Sequence, residues 1–235
     1  MSEERVSSAF TEEGTLLQVE YALEASKKGM SCVVLYGKEG IAMAAAKRVP
    51  EKLMDANYLS SFVEILPGLV AITTGYQMDV QETVMRLKKD AVDFAYDLGR
   101  DPTPDLVCRR MADRWQRKTQ ESHMRLPGVA LAVVGYEKGQ PLIYYTDCSG
   151  TLLPCKGMAF GEGGSAMQKQ LEKIYKPEST NDEILEQALD ALSKALGADY
   201  LATNVELALL AKDKKLERME TDKIDSLLVL IAEKE

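Results

Sequence analysis

The hydrophobic positions of this chain change period several times, and each change marks an element. Near the amino end Leu16, Val19 and Leu23, with Ala22 beside them, recur at helical spacing, and Gly29 stands where a helix cap is expected. This predicts a helix over 16–28. The pattern then shortens to runs with strand chemistry: SCVVLYG at 31–37 and IAMAAAK at 41–47, joined by a turn from Gly37 to Gly40. FVEIL at 62–66 and LVAITT at 69–74 follow, joined at Pro67-Gly68. Together they predict a meander of hairpins.

From Val80 the step of four and three through Val84, Leu87, Ala91, Phe94 and Leu98 predicts a long helix ending at Gly99. A break, DPTP, leads to a second helix with Leu106, Val107, Met111 and Trp115 on its apolar side. A second strand block comes next, at 129–136 and 141–147 with shorter pieces around 151–161. Two more helices follow. One carries Met167, Leu171 and Ile174; the other opens with the capping-box spacing Thr180…Glu183 and runs through Leu185, Ala188, Leu189, Leu192 and Leu196 to Gly197. A hairpin within NVELALLAKDKKLERME and a terminal helix around Ile224–Ala232 end the chain.

Strand block, helix pair, strand block, helix pair is an α+β order. Paired helices between hairpins do not suit crossovers to parallel neighbours, each of which normally uses one helix. The economical solution is two antiparallel sheets face to face, with a helix pair on each outer face. Sheets covered on both sides need not alternate, and VALAVV and LALLA do not. The expected fold is a single domain, a four-layer αββα sandwich, with the early helix lying across its open end. No repeat, low-complexity tract or linker divides it.

Composition narrows the function. Net charge is −8 over 235 residues, which argues against nucleic acid or an anionic membrane as a partner. The basic pairs Lys88-Lys89, Arg109-Arg110 and Lys214-Lys215 are scattered and read as solvated surface. No apolar run reaches the ~18 residues of a membrane span, and MSEERVSS lacks the apolar core of a secretory signal. Cys32, Cys108, Cys148 and Cys155 have no metal-binding spacing and read as reduced thiols of an intracellular protein. The single histidine, His123, reads as a loop residue. GEGGS at 161–165 lacks the Lys-Ser/Thr of a phosphate-binding loop and reads as a turn. Glu12-Glu13 and Asp182-Glu183 read as helix-start charges, and Met78, Met85 and Met167 as packing between helices. No cofactor is expected.

The opening stretch FTEEGTLLQVEYALEA carries a resemblance. Phe10, Gly14, Leu16, Gln18, Val19, Glu20, Tyr21 and Ala22 match the F-x-x-x-G-x-L-x-Q-V-E-Y-A signature of proteasome alpha-type subunits. The likeness extends over the whole chain, through KRVPEKLMD at 47–55, TTG at 73–75 and TDCSG at 146–150. Within the family, TQESHMRLPG and KIDSLLVLIAEKE look most like the iota-type alpha subunit. The resemblance implies the N-terminal-nucleophile hydrolase fold and a place in the seven-membered alpha ring of the 20S core particle, beside the beta ring. It also implies a signature helix sealing the cleft, and residues ahead of it contributing to the substrate gate. Activator docking and ubiquitin-dependent degradation, in cytoplasm and nucleus, follow from the same likeness.

The related beta subunits cut peptides with an N-terminal threonine whose free amine acts as base, helped by an aspartate and a lysine. Aligned with them, Ser31 falls at the nucleophile position, Ala46 at the aspartate and Ser61 at the lysine. Ser31 follows Met30 rather than a processing glycine, so it has no free amine. Neither Ala46 nor Ser61 supplies charge. The expected subunit is non-catalytic. Two alternatives stay open: a hydrolase processed to begin at Ser31, and a stand-alone binding protein.

Where the family usually has a Tyr/Phe-Asp-Arg triplet, this chain has Glu3-Glu4-Arg5, keeping only Arg5. Glu12 replaces the usual proline and Thr15 the usual arginine, while Tyr21 survives. A reduced or altered share in gating is expected. Ser61 also aligns with a lysine that, in many alpha subunits, receives the carboxyl-terminal tails of activators, so weak tail binding is expected there.

Overall fold

The two amino-terminal hairpins part company and enter different sheets. The computed structural model describes residues 10–49, 53–54, 59–121, 124–196 and 201–233. Helix α1 (Leu17–Lys27) precedes the hairpin β1 (Cys32–Tyr36) and β2 (Gly40–Ala46); β3 (Phe62–Leu66) and β4 (Leu69–Gly75) form the next. After helices α2 (Gln77–Leu98) and α3 (Pro104–Gln120) come β5 (Val129–Glu137), β6 (Gln140–Asp147), β7 (Leu152–Cys155) and β8 (Gly157–Phe160). Helices α4 (Gly164–Ile174) and α5 (Asn181–Ser193), strands β9 (Val205–Ala211) and β10 (Leu216–Arg218), and helix α6 (Thr221–Ala232) complete the order.

One sheet runs β10-β9-β2-β1-β8 and the other β3-β4-β5-β6-β7, with antiparallel pairing throughout. The chain changes sheet between β2 and β3, and again at Lys156 between β7 and β8. Successive side chains of a strand point to opposite faces. Thus Cys32 and Val34 of β1 enter the layer between the sheets with Met43, Phe62, Ile72 and Ile143. Val33 and Leu35 face the outer helices instead. Each fully buried aliphatic side chain contributes roughly 1.5–3 kcal/mol, and both faces of both sheets are filled. This is the αββα sandwich of the α+β class.

The outer faces are covered unequally. Helices α2 and α3 close one through Leu87, Ala91, Val107, Met111 and Trp115. The other receives α4 and α5 and also α6, which adds Ile224, Leu227 and Ile231, so three helices stand where a pair was expected. Gly99 caps α2 in the left-handed conformation (φ 64°). The Thr180–Glu183 capping box forms at the start of α5. That helix stops at Ser193 with Lys194 as its cap, and the expected stop at Gly197 lies outside the described residues.

Several side chains depart from the periodicity. Met167 is fully buried, but Met78 and Met85 are 61% and 66% exposed, so these two are not packing within the chain. On α2, Thr83 is buried whereas Leu98 is exposed. Glu12 and Glu13 sit in a turn closed by Gly14 N–H to the Thr11 carbonyl (2.9 Å), ahead of the helix; the acidic residue in the first turn of α1 is Glu20.

Candidate functional site

Helix α1 rests on the ends of β4 and β5. Ala22 is buried with Leu126 and Cys148, and Val19 and Leu23 pack half-buried against them. The side chains of Phe10, Gln18, Glu20 and Tyr21 point to solvent, with Phe10 72% and Tyr21 57% exposed. Gly14 supplies a left-handed turn (φ 79°) before the half-buried Leu16. Half of the signature is therefore not needed to fill this chain's own core. Arg5 and His123 lie outside the described residues.

After α1 the chain is pinned to both sheets. Lys28 is the helix cap and is right-handed, so Gly29 does not serve as the expected cap. Gly29 is required by proximity: a Cβ there would collide with the Gly75 nitrogen and the Thr74 hydroxyl. From the β4 sheet, Thr74 Oγ1 donates to the Met30 carbonyl at 2.6 Å. From the other side, Glu162 N–H donates to the Gly29 carbonyl at 2.9 Å. Gly161, at φ 91°, lies so close to the Met30 carbonyl that a side chain would not fit. GEGGS is the turn that holds this seam, with left-handed Gly161 and Gly163 ahead of α4.

Ser31 is the last link of the seam and 4% exposed. Its hydroxyl donates to the Glu162 carbonyl at 2.6 Å, and its carbonyl accepts the Ala46 N–H at 2.8 Å. The fold thus brings Ser31, just ahead of β1, and Ala46, at the end of β2, together on adjacent strands' ends. Its proton goes to a carbonyl, which is not a base that could activate it. Ser61 is half-buried across the gap, ahead of β3.

Neither Ala46 nor Ser61 carries charge, but an ion pair stands beside Ser61. Glu206 of β9 pairs in register with Ala45 and carries its carboxylate to Ser60 and Ser61. Oε2 accepts the Ser61 N–H at 3.0 Å and Oε1 the Ser60 hydroxyl at 2.6 Å. Arg218 of β10 forms an ion pair with Oε1 and donates to the Phe62 carbonyl at 3.1 Å. The pair is neutral overall and ties the two sheets together. Cys32 is fully buried, and burial pushes its thiol up to about 12, so it is no nucleophile. All four cysteines are free, and among the described residues no His/Cys/Asp/Glu group is arranged for a metal. No helix of the described residues is long and apolar enough to cross a membrane.

A second ion pair faces α1. Arg125 holds Asp79 through two bonds of 2.6 and 2.7 Å, and Gly128 N–H adds a third at 2.9 Å. The Arg125 hydrogen bond keeps the Asp79 carboxyl below the usual range, against the opposing effect of burial. Between this pair and α1 runs a groove of about 450 Å³, lined by Gln18, Tyr21, Lys28, Tyr76 and Gln77 among others. Sequence reasoning missed Asp79, Arg125, Glu206 and Arg218. Only their placement across 46 and 12 residues of sequence makes them pairs.

The comparisons with known proteins agree with this geometry. The proteasome subunit family matches over residues 26–210. The "Proteasome subunit alpha" of Methanocaldococcus jannaschii is 30% identical over 226 residues, covering 96% of this chain and 86% of that one. That of Methanococcus maripaludis is 30% identical over 232 residues, covering 98% and 89%. The "Probable proteasome subunit alpha type-1" of Schizosaccharomyces pombe is 30% identical over 237 residues, covering 99% and 97%. A sandwich of two antiparallel sheets, a helix laid on the ends of β4 and β5 and relatives matched along nearly their whole length lead to one conclusion: the chain belongs to the proteasome subunit family, among its alpha-type members.

Proposed function

We propose that this chain is a non-catalytic structural subunit of the outer alpha ring of a proteasome core particle. The observation that carries the reading is Ser31. Its nitrogen is in a peptide bond to Met30, its hydroxyl is buried against Glu162, and neither an aspartate nor a lysine stands at Ala46 or Ser61. An N-terminal-nucleophile mechanism needs the free amine. A chain that cannot cut still serves as a wall. Its partners are other alpha subunits in a seven-membered ring and the beta ring beneath, and its pathway is ubiquitin-dependent degradation.

The exposed half of the signature supports a role towards neighbours. Phe10, Gln18, Glu20 and Tyr21 face away from the core, which leaves their side chains free to meet a neighbouring subunit. We read residues ahead of α1, including Arg5, as a gate segment whose share in gating is altered by Glu3-Glu4, Glu12 and Thr15. Ser61 stands at the activator-docking position, where a serine offers an activator tail no cation. The subtype we favour is iota-like, on TQESHMRLPG and KIDSLLVLIAEKE, and the location cytoplasm and nucleus.

Native mass spectrometry of the purified complex tests the reading. A ring-sized assembly containing the chain at its full mass is expected. A mature chain trimmed to Ser31 and labelled there by a covalent proteasome inhibitor would overturn it in favour of a processed hydrolase. A chain that stays monomeric would favour a stand-alone binding protein.

A further inference from the structure

The Glu206 carboxylate sits in a cradle made by other segments. Ser60 and Ser61 lead into β3 on one sheet; Glu206 belongs to β9 and Arg218 to β10 on the other. Oε2 accepts the Ser61 N–H at 3.0 Å, Oε1 accepts the Ser60 hydroxyl at 2.6 Å, and Arg218 Nη1 pairs with Oε1. Arg218 has footholds besides Glu206: Nη2 donates to the Phe62 carbonyl at 3.1 Å and Nη1 to Ser60 Oγ at 2.9 Å. Ser60 Oγ in turn accepts the Phe62 N–H at 3.0 Å. These contacts orient the donors by means other than the glutamate. A main-chain N–H, a hydroxyl and a guanidinium converging on two oxygens form a donor set suited to a free carboxylate. The Glu206 side chain is 10% exposed and that of Arg218 47%, so the cradle opens to solvent on the arginine side.

We propose that Glu206 is the built-in occupant of a carboxylate site and excludes a peptide carboxyl terminus from the Ser60–Ser61–Arg218 cradle. An arriving carboxylate finds the Ser61 N–H, the Ser60 hydroxyl and Arg218 Nη1 already bonded to Glu206 and meets a like charge. Replacing a lysine by Ser61 withholds an attraction; Glu206 adds a repulsion. That the excluded group is the tail of an activator rests on the reading of Ser61 proposed above. The cradle itself does not.

The test uses the full chain, isotope-labelled, with the Ser61 amide signal as readout. The probes are sodium acetate, a short peptide with a free carboxyl terminus, and the same peptide as its amide. For the unaltered chain the Ser61 signal stays put with all three. E206A is expected to bind the free acid roughly tenfold or more tightly than the amide, and E206A/R218Q to lose that preference. A folded E206A that treats acid and amide alike overturns the proposal, as does an unaltered chain that binds the free acid at Ser61 as well as E206A does. Where E206A does not fold, E206Q keeps the shape and removes the charge. About a threefold gain in acid preference over the unaltered chain is then expected, and no gain overturns the proposal. Ring assembly by native mass is scored separately, so a failed cradle and a failed ring assignment are told apart.

Discussion

The Ser31 hydroxyl donates to the Glu162 carbonyl across 131 positions of sequence, at 2.6 Å, and joins the start of β1 to the turn ahead of α4. The bond is structural. Ser31→Ala leaves the Glu162 carbonyl without that partner and is expected to cost about 1 kcal/mol, or roughly 2–4 °C in Tm for a domain of this size. Peptidase activity of a particle containing the variant should equal that of the unaltered particle. A selective loss of one cleavage specificity would contradict the non-catalytic reading.

Asp79 and Arg125 carry a pH dependence of known sign. The folded-state pKa of Asp79 lies below its ordinary 3.8, chiefly through the Arg125 hydrogen bond. The stabilisation is therefore complete above that ordinary value and is lost as pH falls through the lower folded value. Asp79→Ala should cost about 1–3 kcal/mol at neutral pH, because Gly128 N–H also loses its acceptor. Urea denaturation should show the gap between variant and parent narrowing as pH drops below 3.8, since protonation weakens the Arg125 pairing but leaves Asp79 an acceptor for Gly128 N–H. A gap that persists unchanged to acid would assign the loss to packing instead of charge.

The methionines separate core from interface. Met167 is fully buried, so Met167→Ala should cost about 2–5 kcal/mol. Met85 is 66% exposed, so Met85→Ala should stay within about 0.5 kcal/mol in the isolated chain. If α2 meets a neighbouring subunit, Met85→Lys will lower incorporation into large particles without lowering the Tm of the free chain. Equal incorporation of Met85→Lys and parent would remove this face from the interface.

Thiol labelling reports the burial of the sandwich. Burial pushes the Cys32 and Cys148 thiols up to about 12 and raises Cys108 further, whereas Cys155 is only half-buried. Alkylation of the folded isolated chain at mildly alkaline pH should modify Cys155 first, and the other three only on denaturation. Labelling of Cys32 at the rate of Cys155, read by peptide mass, would mean that the sheets part at their open end.

Local pattern carried far in this chain. Strands β1 to β6, the helix α2 to its Gly99 stop, and the Thr180–Glu183 capping box all follow from spacing within a few residues. These features depend on near neighbours. Assignment of strands to sheets did not follow, because β1, β2, β4 and β5 are apolar on both faces and alternation cannot say which partner each face meets. Gly29 looked like a cap for the same reason: its real constraint, the Gly75 nitrogen, lies far along the chain.

What the amino-acid sequence determined by itself was the αββα class and the family signature. Residue identity and short-range period are enough for each. Only the tertiary structure decided that Ser31 is tied to Glu162, that Asp79 meets Arg125 and that Glu206 fills the cradle beside Ser61. A hydrogen bond or an ion pair acts over a few ångströms in space, and no local pattern encodes which distant residue the folded sheets bring within that reach.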